Sequence, residues 1–276
     1  MIIDQPTKAE EDQETREEKE KGGKGTMRFT DSPVIDLTVN NSKLSFHQDN
    51  GSMHVGTTVW PASLVLVKFA ERWLSSTSTT DNPYATVLHF QNKRAVELGT
   101  GCGVAAMGLY LLGLKDVVLT DIAPVMPALK HNLKRNKTVL GKMLKTAQLH
   151  WTNSDQIKAL KPPFDIVVAA DVVYIEESVG PLLAAMESMV SDTGVVLLGY
   201  QVRSPEAHLL FWEQCNRIFE VEKVPHDHLH PEYAYEETNY PTPNISAAWE
   251  NTSKSKEKRS GMFGDIVGMN MAVMIF

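Results

Sequence analysis

The residues best suited to chemistry in this chain are Glu97, Gly99, Thr100 and Gly101, within Val96-Glu97-Leu98-Gly99-Thr100-Gly101-Cys102-Gly103, together with Asp121, 20 residues beyond Gly101. A glycine loop after a short apolar strand lets backbone approach a bound nucleoside. An acid at the end of the next strand can accept hydrogen bonds from both ribose hydroxyls. The loop reads G-x-G-x-G and departs from the dinucleotide pattern G-x-G-x-x-G. Glu97 stands two residues before it, where it would repel a pyrophosphate but not a cation. S-adenosylmethionine carries a sulfonium and an α-ammonium and no phosphate, so it suits this acidic strand end better than NAD. Glu97, Gly99, Thr100, Gly101 and Asp121 are therefore cofactor-binding candidates. An NAD-dependent oxidoreductase, resting on the same loop and the same Asp121, is the rival reading.

A second acid, Asp171, follows the apolar run Ile166 to Ala170. Carboxylates at strand C-termini face the ligand crevice of an open α/β sheet, which favours a role at the site over the alternative, an N-cap of the next helix. Tyr174, three residues on, could meet a substrate cation through its ring or its hydroxyl. Other candidates carry less. Cys102 has no nearby histidine or base in sequence to make it a nucleophile. His226-Asp227-His228-Leu229-His230 has ligand residue types, yet it lacks a second ligand cluster and reads better as a solvated loop beside the substrate cleft than as a metal site. Lys130, His131, Lys134, Arg135 and Lys137 read as an exposed helix end that suits the helix dipole. Glu176-Glu177 reads equally as a lure for a basic substrate or as solvated surface.

The elements that must position these residues follow from periodicity. Strands read at Arg94 to Leu98, Val117 to Thr120, Thr146 to Trp151, Phe164 to Ala170, Gly194 to Tyr200 and Phe219 to Val224. Helices fall at Val104 to Leu112, Pro124 to Lys137, Val179 to Val190 and Glu206 to Arg217. Apolar β-branched runs between helices are those of parallel strands buried on both faces. The expected fold class is therefore α/β, a Rossmann-like doubly wound sheet of seven mostly parallel strands. A short N-terminal extension precedes it: a hairpin, Val34 to Leu37 and Leu44 to His47 around Asn40-Asn41, then a helix over Trp60 to Leu74. Ser75 to Thr80 reads as a loop.

Length and composition set the frame. At 276 residues and 42% hydrophobic content the chain supports one substantial core. Residues 1–28 are charged and nearly without large apolar groups, so they read as a disordered tail. One main domain is expected over 29–240. Residues 241–276 form an atypical tail, from which Met269 to Phe276 could supply a last strand. No apolar run approaches the roughly 18 residues of a membrane span. Two cysteines fit a reducing compartment, the cytosol or nucleus. A net charge of −7 argues against broad nucleic-acid affinity.

Four stretches, in this order, resemble the class I, seven-β-strand S-adenosylmethionine-dependent methyltransferases and, within them, the family 16 protein-lysine methyltransferases. They are Thr57-Thr58-Val59-Trp60, Val96 to Gly103, Leu149-His150-Trp151 and Ala169-Ala170-Asp171-Val172-Val173-Tyr174, the last matching a D-x-x-Y element. The resemblance covers about Leu44 to Glu237. It implies that Trp60 lines the cofactor pocket, Gly99 and Gly101 approach the methionine portion, Asp121 holds the ribose, Trp151 the adenine, and Ala170 touches the cofactor. Asp171 and Tyr174 are the implied catalytic residues, with no metal required. The implied partner is a protein bearing a target lysine, with chaperones and translation factors as candidate classes, bound by a monomer. Pro61 and the segment Ser75 to Gln91 depart from the family pattern, as does the tail after Glu237. That tail motivates a further alternative, a noncatalytic adaptor with a methyltransferase fold.

Overall fold

Asn40 and Asn41 adopt left-handed backbone, φ 45° and 62°, as a two-residue hairpin turn requires. They join β1 (Val34–Val39) to β2 (Ser42–His47) in antiparallel register, Val39 opposite Ser42. The computed structural model describes residues 32–75, 82–233 and 269–275. The charged tail at 1–28, most of the serine and threonine loop, and the Pro, Asn and Ser-rich stretch after Tyr240 lie outside the described residues.

After the hairpin comes α1 (Pro61–Leu74), with Pro61 in its first turn, where a missing N–H costs nothing. Its buried face, Leu64, Val65, Leu66, Val67, Phe69 and Ala70, packs on the sheet. Strand and helix then alternate: β3 (Arg94–Leu98), α2 (Val104–Leu111), β4 (Asp116–Asp121), α3 (Met126–Arg135), α4 (Lys137–Leu140), β5 (Lys145–Gln148), α5 (Ser154–Ala159) and β6 (Phe164–Ala170). The series continues through α6 (Glu176–Met189), β7 (Val190–Gln201), α7 (Pro205–Cys215), β8 (Glu220–Lys223) and β9 (Met269–Ile275).

Seven strands form one sheet in the order β5-β4-β3-β6-β7-β9-β8. The pairs from β5 through β7 are parallel, and β9 alone runs antiparallel to its neighbours β7 and β8. Chain order reverses between β3 and β6, so the two strand ends that diverge there open a crevice at their C-terminal edge. β9 pairs with β7 along seven residues, from Val195 opposite Ile275 to Gln201 opposite Met269. The C-terminal residues thus complete the sheet, and the motive for an inactive adaptor falls away.

Several boundaries differ from the sequence expectation, each for a local reason. The strand expected to reach Trp151 ends at Gln148, because Leu149 N–H turns to the Asp121 carbonyl and Gln156 Oε1 accepts from His150 N–H. The helix expected from Val179 starts at Glu176, where two acids in the first turn meet the positive end of the dipole. The helix expected over 124–137 breaks at Asn136, whose side chain is drawn to β2. Asn132 and Asn136, one turn apart, grip that strand. Each accepts from a β2 amide with its carbonyl oxygen at 2.8 Å and donates to the same residue's carbonyl at 2.9 Å, on His47 and Ser45 respectively.

Candidate active site

β3 ends at Leu98 and the chain turns sharply through Gly99 and Gly101, at φ +65° and +55°. A side chain at Gly99 would place Cβ 2.8 Å from Val172 and 3.4 Å from the Trp151 ring, and one at Gly101 would meet the Gly56 carbonyl at 3.0 Å. Both positions therefore need glycine for backbone conformation and for space. Asp121, at the end of β4, fixes this turn: its Oδ2 accepts from Gly101 N–H at 2.8 Å and its Oδ1 from Ile122 N–H at 2.7 Å. A carboxylate has about four lone-pair sites, so both oxygens can still accept from a diol. Burial raises the Asp121 carboxyl above its ordinary range, against the pull of those two amides.

Glu97 lies behind the loop at 1% exposure. Its Oε2 accepts from the Thr100 hydroxyl and from Ala106 N–H, both neutral donors. Burial pushes its carboxyl up to about 8, opposed by those two bonds and reinforced by the charge of Asp121. Both donors are neutral, so among the described residues no cation offsets the burial of this carboxyl. Cys102, within the loop, is pushed up to about 12 by burial and by the charge of Asp121, so its thiol stays protonated and is no nucleophile.

One cavity of about 640 Å³ joins these groups. Trp60, Glu97, Gly99, Thr100, Gly101, Asp121, Trp151, Ala170, Asp171 and Tyr174 all line it. Every residue singled out for the site in the sequence therefore reaches a single crevice. Trp60 precedes α1 and donates its indole N–H to the Val55 carbonyl at 2.9 Å. Burial, then the charges of Asp121 and Asp171, raise the Tyr174 phenol, so it is a hydroxyl donor and not a base. Asp171 itself is not an N-cap; that position on α6 belongs to Ile175.

Both oxygens of the Asp171 carboxylate are already engaged within the protein. Asp171 takes left-handed backbone, φ 59°, and its side chain is 2% exposed. Oδ1 accepts from Gln201 N–H at 3.1 Å and Oδ2 pairs with Arg203 Nη2 at 2.7 Å. The Arg203 guanidinium in turn lies over the Trp60 ring, 4.3 Å from its centroid. Sequence reading missed Arg203, which stands 32 residues from Asp171 and carries no local signal.

The histidine cluster lies elsewhere. His226–His228 is a short 3₁₀ turn in which His228 Nδ1 meets the Tyr84 hydroxyl at 2.7 Å and its carbonyl accepts from the Trp73 indole at 3.0 Å. Trp73 is near the C-terminal end of α1 and Trp60 just before its start, roughly 20 Å apart along a 14-residue helix. The cluster is a strap on the far end of α1, not a loop beside the cleft. No group of three potential metal ligands occurs among the described residues. Lys130, His131, Lys134, Arg135 and Lys137 are all exposed.

The sheet order, the glycine loop braced by an acid at the β4 end, and the crevice at the reversal point together define a class I S-adenosylmethionine-dependent methyltransferase. Residues 38–217 match the family model described as lysine methyltransferase, and the chain belongs to that family. It is 28% identical over 193 residues to the protein N-lysine methyltransferase METTL21A of Danio rerio, covering 70% of this chain and 81% of that one. For METTL21A of Xenopus tropicalis the figures are 29% over 208 residues, 75% and 87%. The calmodulin-lysine N-methyltransferase of Arabidopsis thaliana is 30% identical over 164 residues, 55% of this chain and 49% of that one. The solved structure of SMU.776 complexed with SAH shares the fold at TM-score 0.50 and 9% identity, covering 88% of this chain and 56% of that one. The chain is thus a protein-lysine N-methyltransferase that uses S-adenosylmethionine.

Proposed function

We propose that the crevice between Trp60, the glycine loop and the turn at Asp171 to Tyr174 is where the ε-amine of a protein lysine receives its methyl group. The observation that carries this reading is the single cavity in which the braced glycine loop, Asp121, Trp151 and the Ala170 to Tyr174 turn are continuous. Asp121 is assigned to the ribose diol, Trp151 to the adenine face, Ala170 to contact at the strand end, and Glu97 with Thr100 to the cationic amino-acid end. S-adenosylmethionine supplies an electrophilic methyl on a sulfonium. The chain's own task is to align the amine and exclude water.

An ε-amine has an ordinary pKa of about 10.4 and must shed its proton before attack. Burial in an apolar crevice favours the neutral amine, whereas a bare carboxylate favours the ammonium. Asp171 is assigned to orient the amine from within its ion pair, and Tyr174, as a neutral hydroxyl, to hydrogen-bond it. The substrate protein remains of chaperone or translation-factor class by proposal, with the enzyme acting as a monomer in the cytosol or nucleus. Both cysteines are free and buried, which supports a reducing compartment. The catalytic domain is proposed to span 29–240, with 241–276 contributing the last strand.

Calorimetric titration with S-adenosylhomocysteine tests the assignment of Asp121. Asp121→Ala removes a charge-assisted contact made in ground and transition states alike, so affinity should fall by about 1.5 to 3 kcal/mol while turnover at saturating cofactor changes little. Unchanged affinity, or NAD binding in place of S-adenosylhomocysteine, would remove this reading.

A further inference from the structure

Among the described residues that line the cavity, four are acids, Glu97, Asp121, Asp171 and Glu177, and none is Lys or Arg. Arg203, on the connection between β7 and α7, has 27% of its side chain exposed. It makes two contacts at once, a 2.7 Å ion pair with the buried Asp171 carboxylate and a stack over the Trp60 ring. A cation over an aromatic face and against a carboxylate satisfies both groups that would otherwise attract an ammonium. Left without Arg203, Asp171 would keep, among the described residues, the Gln201 N–H alone, and its charge on the cavity lining would be unbalanced.

We infer that Arg203 is a positioning residue that neutralises Asp171 and braces Trp60, so that the target lysine enters a charge-balanced mouth and reacts as the neutral amine. This rests on the reading that the lysine enters beside Asp171. The charged and titratable groups facing Asp171 are Arg203 from the β7–α7 connection, Tyr174 from its own turn, Glu177 from α6 and Asp121 from the end of β4. Glu97 lies behind the loop and Cys102 within it, with His54 and His150 on the other lining segments. Of these only Arg203 contacts the Asp171 carboxylate as a permanent cation. The consequence has a definite sign. The rate of methyl transfer rises with pH as the bound amine loses its proton, and an unpaired carboxylate moves that rise to higher pH.

The test is the pH profile, over about pH 6 to 10, of label transfer from S-adenosylmethionine into the most strongly labelled protein of a cell lysate. It is run on wild type, Arg203→Gln, Arg203→Lys, Asp171→Asn and the double variant Arg203→Gln/Asp171→Asn. Titration with S-adenosylhomocysteine reports on the folding of each. Arg203→Gln should shift the midpoint upward by about one pH unit. Arg203→Lys, which keeps the charge and loses the planar stack, should hold the wild-type midpoint at reduced turnover. The double variant should share the midpoint of Asp171→Asn. A slower Arg203→Gln enzyme with an unmoved midpoint would make Arg203 merely structural. A shift of equal size with and without Asp171, or a shifted Arg203→Lys, would also overturn the inference. Should Arg203→Gln fail to bind S-adenosylhomocysteine, Arg203→Lys decides alone. A wild-type enzyme that binds the product yet labels no protein would instead sink the lysine-entry reading itself.

Discussion

Glu97 changes its acid–base chemistry more on folding than any other acid at the site. Its ordinary value is 4.5 and its folded value about 8, because burial strips its water. A carboxyl raised on folding takes up a proton in the native state, so the native state is favoured below the unfolded pKa and loses that advantage as pH climbs to the folded one. The window is therefore about 4.5 to 8, and Asp121, also raised by burial, adds to the same slope from its ordinary 3.8 upward. Thermal unfolding of the cofactor-free protein should show a melting temperature that drops by roughly 5 to 10 °C between pH 5 and 8. Glu97→Gln should flatten most of that drop. A wild-type melting temperature that rises across this range would contradict the assignment.

At the scale of elements, the hairpin is held, among the described residues, by side chains and not by a third strand. Asn132 and Asn136 on α3 and its end satisfy both backbone groups of His47 and of Ser45 along the open edge of β2, and both amides are buried. Asn132→Ala should cost about 1 to 3 kcal/mol, since the amide and the carbonyl of His47, on an exposed residue of β2, lose their partners together. Denaturant unfolding would register this; a loss under about 0.5 kcal/mol would mean that the hairpin needs no such grip. The contact also explains what the sequence disclosed and what it withheld. The glycine loop, the acid 20 residues on and the apolar strands were legible because each is a local pattern. Asn132 and Asn136 were hidden among basic residues whose exposure set the reading of that helix. The pairing of Asp171 with Arg203 joins residues 32 apart in chain through a strand register that no local period encodes.

The whole molecule depends on its last strand. β9 lies between β7 and β8, and its Met271, Ala272, Val273 and Met274 are buried. The sequence marks Met269 to Phe276 as a run that could supply a last strand, while its place two strands from β6 follows from pairing, not composition. Removing residues 269–276 would open the edge of β7 and leave β8 without its neighbour, so the truncated protein should aggregate or lose cooperative unfolding. Gel filtration and calorimetric melting would show it, and a monomeric truncation melting as sharply as the full chain would argue that β9 is dispensable.

The claim that unites these scales is that the crevice at the reversal of the sheet moves a methyl group onto a protein lysine. Its most direct test incubates the full chain with methyl-labelled S-adenosylmethionine and a cell lysate, then locates the label by peptide mass spectrometry. The account predicts label on a lysine side chain of a discrete protein, reduced at subsaturating cofactor by Asp121→Ala. Label recovered in nucleic acid or in small molecules alone, with the wild-type enzyme active and no protein lysine modified, would contradict it.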